Sequence, residues 1–105
     1  MWVRFQNGGN YDAVFDVQWN GGESARTGLV RQSGPGSDNT GSIELINCPP
    51  GSTCYARMFI SGGPTKDSES SFVFPATPPP NLPVMGITCK GGIANPGFGD
   101  WYWTD

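Results

Sequence analysis

The stretch Tyr11-Asp12-Ala13-Val14-Phe15-Asp16-Val17-Gln18-Trp19, set between Gly8-Gly9-Asn10 and Asn20-Gly21-Gly22, decides the fold class. Tyr11, Ala13, Phe15, Val17 and Trp19 share one side of a period-2 pattern; Asp12, Val14, Asp16 and Gln18 share the other. A strand turns successive side chains to opposite faces, so the stretch predicts an amphipathic strand with an aromatic inner face and a solvated outer one. A helix would set Asp12 and Asp16 among apolar neighbours. Glycine and asparagine at both ends supply the turns that stop the strand.

Outward from this strand, the rest of the chain reads the same way. Trp2-Val3-Arg4-Phe5-Gln6 alternates and predicts a first strand, and residues 28–32 predict a weaker third. Residues 42–47 and 54–60 are two β-prone runs joined by Cys48-Pro49-Pro50-Gly51-Ser52-Thr53, which has the shape of a hairpin. Shorter strands are expected over residues 71–74, 83–89 and 100–103, with polar loops at 33–41 and 61–71 and a stiff proline connector at 78–80. Six or seven short strands without a helix predict an all-β protein: a single antiparallel β-sandwich spanning residues 1–105. With Gly 16 and Pro 10 placed between apolar runs, the composition suits many turns.

Charge narrows the function. Net charge is −3 and the six basic residues are scattered, so the electrostatic footprint of nucleic-acid binding is missing, as is a polybasic patch for anionic lipid. There is no histidine, which removes the commonest general base and the commonest zinc ligand. Cys89 therefore has no histidine to activate it as a nucleophile, and no Ser-His pair exists. Asp12 and Asp16 share a strand face, and a calcium site would need further oxygens from neighbouring loops; the plain reading is a solvated face. The expectation is a protein without catalysis, metal or cofactor. No charged-then-apolar leader opens the sequence, which is the pattern of a protein acting inside the cell, leaving it unconventionally, or shown in mature form.

Two constellations stay open. Cys48 and Cys54 flank the proposed turn, within disulfide reach if the register is right, or else reduced as small apolar residues; spacing alone does not fix connectivity. In Phe98, Trp101, Tyr102 and Trp103, alternation places Trp101 and Trp103 on one face, which is either core or a surface suited to a bilayer, a sugar ring or a protein partner.

In order, these segments resemble the C-terminal domain of the cholesterol-dependent (thiol-activated) cytolysins. Residues 9–19 resemble its opening, a glycine and tyrosine followed by an alternating strand ending in tryptophan. Residues 42–45 with Pro50-Gly51-Ser52 and Tyr55-Ala56-Arg57 are similar to its next hairpin, and residues 74–88 to the late segment that leads into a threonine-leucine loop. The resemblance implies a β-sandwich that meets membranes through loops at one end. The threonine carries over to Thr88, but Cys89 stands where the family has leucine, and the tryptophan-rich undecapeptide has no counterpart in residues 55–63. The expected function is a non-enzymatic binding module whose end loops, with Thr88, Cys89, Phe98, Trp101 and Trp103, meet a membrane lipid or sterol. Lectin-like glycan binding by the same aromatics and a self-assembling homo-oligomeric subunit are the alternatives.

Overall fold

The computed structural model describes residues 1–32, 39–78 and 84–104. Its strands in chain order are β1 (Trp2–Asn7), β2 (Ala13–Trp19), β3 (Gly22–Glu23), β4 (Thr40–Glu44), β5 (Thr53–Ile60), β6 (Thr65–Asp67), β7 (Phe72–Val73), β8 (Val84–Lys90), β9 (Gly97–Phe98) and β10 (Tyr102–Thr104). One sheet runs β10-β8-β1-β4, with β9 on β8; the other runs β3-β2-β5-β6, with β7 on β5. The two sheets make a β-sandwich, and no helix occurs among the described residues.

Alternation builds the core as the sequence implies. Val3 and Phe5 point inward from β1 while Trp2, Arg4 and Gln6 point out. Ala13, Phe15 and Val17 of β2, Ala56 and Met58 of β5, and Ile87 of β8 are fully buried. Phe5 and Phe15, one from each sheet, stack with centroids 5.0 Å apart and planes 13° apart. Such a pair is worth about 0.5–1.5 kcal/mol beyond the area it buries. Trp101 meets Phe5 and Phe72 edge-on, and Phe98 meets Phe15 edge-on, so both aromatics close the side of the core.

Five expectations need correction. The two runs around Cys48–Cys54 are not a hairpin: β4 pairs with β1 and β5 with β2, so their connection crosses between sheets. Two prolines that cannot donate, positive φ at Asn47 and Gly51, and a turn closed by Ser52 N–H donating to the Pro49 carbonyl (3.1 Å) suit that crossing as well as a hairpin. The first sheet is mixed, because β1 and β8 run parallel from Val3↔Met85 to Asn7↔Cys89. Residues 28–32 make only an isolated bridge, Ala13↔Val30, and along this edge the hydroxyls of Ser24 and Thr27 accept the N–H groups of Val17 and Phe15. The outer face of β2 is solvated only in part: Asp12 and Val14 are half-buried, but Asp16 is wholly buried and Gln18 nearly so. The 61–71 loop also holds the edge strand β6. The loop at 33–41 and the connector at 78–80 lie partly outside the described residues.

Residues 8–12 carry the chain from the end of β1 to the start of β2, which defines an upper end of the sandwich; β1 begins and β2 stops at the lower end. At the upper end, buried Asn7 donates to the carbonyls of Tyr11 (2.7 Å) and Val30 (3.1 Å). Its Oδ1 accepts from Gly9 N–H (2.9 Å) and from the Cys89 thiol (3.1 Å).

Candidate functional site

Among the described residues, seven large apolar side chains stand in solvent, and their placement is uneven. Trp2 (38% exposed) opens β1 opposite Glu44. Ile46 (66%) follows Leu45, whose N–H donates to the Met1 carbonyl. Val73 (62%) pairs with Thr53 at the start of β5, and Trp103 (52%) pairs with Met85, itself beside Val3. All four belong to the lower end. Leu29 and Ile93 lie toward the upper end, and Tyr102 sits opposite Gly86 between them.

The lower end also carries a cleft of about 420 Å³ between the two sheets' edges, lined by Trp19, Glu23, Glu44, Ile46 and Asn47 among others. Its charged side chains are both carboxylates. An apolar rim with two tryptophans and no lysine can insert into the interfacial layer of a bilayer, where an indole keeps its apolar body in the acyl boundary and its N–H at the headgroups.

The five residues expected to form the site are dispersed. Thr88 points outward from β8, half-buried, with its Oγ1 3.4 Å from the Tyr102 hydroxyl. Cys89, its neighbour, is fully buried against Asn7, and burial pushes its thiol pKa upward. Phe98 is half-buried on Phe15. Trp101 is half-buried, donating from Nε1 to the Ser70 carbonyl (3.2 Å). Trp103 alone of the five is strongly exposed. Thr88, Cys89 and Phe98 lie on strands toward the upper end, not in loops, and Trp103 lies toward the lower, so no single loop cluster unites them.

Trp2, Ile46 and Val73 are the surface residues that sequence reasoning missed. For Trp2 the signal was present: once Val3 and Phe5 take the inner face, Trp2 must share the outer face with Arg4 and Gln6.

On the other sheet's outer face lies a second polar group. Asp16 Oδ1 accepts from Gln18 Nε2 (2.8 Å), which also reaches Glu23 Oε2 (3.2 Å). Oδ2 has no hydrogen bond; its near cation is the exposed Arg26, whose Nε stands 3.9 Å away while its guanidinium covers Phe59 at 3.9 Å from the ring centroid. Desolvation raises the Asp16 pKa above the ordinary carboxylate range, against the pull of the Gln18 hydrogen bond and, more weakly, of Arg26 and Arg57. This arrangement holds strands together; of its members only Glu23 reaches the cleft at the lower end.

With the geometry in place, comparison with known proteins adds little detail. No family model and no curated protein matches the chain. Two solved toxin structures are among those similar to it. Listeriolysin O aligns over 99% of this chain at 16% identity and a TM-score of 0.46, and a Gram-negative toxin over 93% at 18% identity and 0.44. The chain spans 22% of the length of each. At these scores the likeness assigns no residue a role.

Proposed function

We propose that this chain is a binding module that docks on a membrane surface through its lower end, with Trp2, Trp103, Ile46 and Val73 entering the interfacial layer. One observation carries the reading: four of the seven exposed large apolar side chains, both exposed tryptophans included, gather at one end of the sandwich. Glu23 and Glu44 at that end, with the net charge of −3, favour zwitterionic over anionic headgroups. The reading asks for no sterol, because Cys89 is buried and Thr88 is engaged with Tyr102. It asks for no catalysis either.

The test is co-sedimentation with phosphatidylcholine vesicles, with and without cholesterol, and with an anionic lipid added. Binding to phosphatidylcholine, weakened at least several-fold by combining Trp2→Ser with Trp103→Ser, is expected. The double variant should fold, since both side chains are exposed. Equal binding by the double variant would move the contact elsewhere, and no binding to any vesicle would end the proposal. Sterol-dependent binding that survives the double variant would instead favour the surface around Thr88.

A glycan is the second reading, favoured by the outer face of β10-β8-β1. There Trp2 and Tyr102 are exposed on the same side as Arg4, Gln6 and Thr88, a mix of stacking and hydrogen-bonding groups suited to a sugar ring. Quenching of tryptophan emission on titration with glycans, lost in Trp2→Ser alone, is its signature.

A further inference from the structure

Three thiols allow three pairings, and the fold leaves one. Cys48 and Cys54 sit at the two ends of the connection that crosses between sheets, both buried, with their sulfurs 3.7 Å apart. Cys89 lies at the other end of the sandwich, its sulfur on Asn7 Oδ1. Bringing two sulfurs from 3.7 Å to bonding distance, about 2.05 Å, takes a small rotation of each side chain. The connection between them is already closed by the Pro49–Ser52 turn and by Phe74, which accepts from Gly51 N–H and donates to the Ser52 carbonyl.

We infer that Cys48 and Cys54 are a disulfide-forming pair that staples the β4–β5 crossing, while Cys89 remains a thiol. The oxidant is a low-molecular-weight disulfide such as oxidised glutathione. The Cys48 thiolate, on the side of the pair nearer the surface, attacks one sulfur of that disulfide and releases one glutathione thiol. The Cys54 thiolate then attacks Cys48 Sγ, breaks the mixed disulfide and releases the second. Two protein S–H bonds are replaced by one S–S bond, and one glutathione disulfide is reduced to two thiols. Burial, with the neighbouring Cys48, pushes the Cys54 thiol up to about 12, so the second step is slow in the closed fold and the endpoint, not the rate, is the informative quantity.

The experiment incubates the whole chain with oxidised and reduced glutathione until the free-thiol count, read in denaturant, is constant. The thiols are then alkylated and the chain cut at lysine and arginine. A fall from three thiols to one is expected. The fragment 32–57, which contains both Cys48 and Cys54, should be lighter by two hydrogens, and the fragment 67–90 should carry one alkylated cysteine. Cys89→Ser should lose its two remaining thiols in the same way. The inference is overturned if fragment 32–57 ends with both cysteines alkylated, if it is linked to fragment 67–90, or if the link forms between two chains.

Discussion

Asn7→Ala tests how the upper end is held. Removing the amide takes away four hydrogen bonds, but their consequences differ. The Val30 carbonyl keeps Ala13 N–H as a partner at 3.0 Å, and a thiol is a weak donor, so neither loss is large. The Tyr11 carbonyl and the Gly9 N–H are left buried and unpaired. At about 1–3 kcal/mol for each orphaned group, the expected destabilisation is about 4 kcal/mol. Against the 5–15 kcal/mol typical of a whole domain this is large, and it corresponds to a fall in Tm of roughly 15–20 °C for a domain of this size. Urea unfolding followed by tryptophan emission measures it. Cys89→Ala, which removes only the thiol partner, should cost less than half as much. A loss below about 1 kcal/mol in Asn7→Ala would refute the reasoning, because it would mean that the two backbone groups find other partners.

Three further expectations follow from other positions. Because burial raises the Asp16 pKa, the folded state holds that proton more tightly than the unfolded chain, so its contribution is present below about pH 4 and is lost as pH rises through the folded value; Asp16→Asn should gain on the wild type between pH 4 and 7 in urea titrations, and a gap closing with pH would contradict this. Gly91 has φ +86° and a Cβ there would run into the Asn95 carbonyl, whereas Gly62, φ +70°, faces open space. Gly91→Ala should therefore cost about 2–4 kcal/mol and Gly62→Ala about 1, as read by thermal unfolding; equal costs would show that the loop yields. Thr27→Val keeps the shape but leaves Phe15 N–H without the hydroxyl it donates to at 3.0 Å, at a cost of about 1–3 kcal/mol and with faster amide exchange at Phe15.

What the sequence discloses follows the range of the interactions. The alternation from Tyr11 to Trp19 is local, and it places the buried face correctly because aromatic and aliphatic residues fall on one parity. The fate of the other parity depends on distant residues. Asp16 pairs with Arg57 of β5 and is approached by Arg26 from the segment after β3, which no local pattern announces. Likewise Pro49-Pro50-Gly51 dictates a tight reversal but not whether the chain returns to the same sheet. The aromatic group near the C-terminus was legible as important, yet Trp101 and Trp103 part company because Phe5 and Phe72 cover one, while the other sits on the edge strand β10. Ile46 and Val73 carry no local sign of exposure; they are outside because none of the described residues folds over them.

The parallel pairing of β1 with β8 also sets an order of events. Asn7 and Cys89, neighbours in that register, are 82 residues apart along the chain. β1 is synthesised well before β8 and must wait for it before the middle of their sheet exists, with β4 as its described partner meanwhile. Loop closure over such a span comes before the contacts that reward it, so sheet closure is expected late and slow. During that interval the inward face of β1, with Val3 and Phe5, is the part of the nascent domain most in need of shelter.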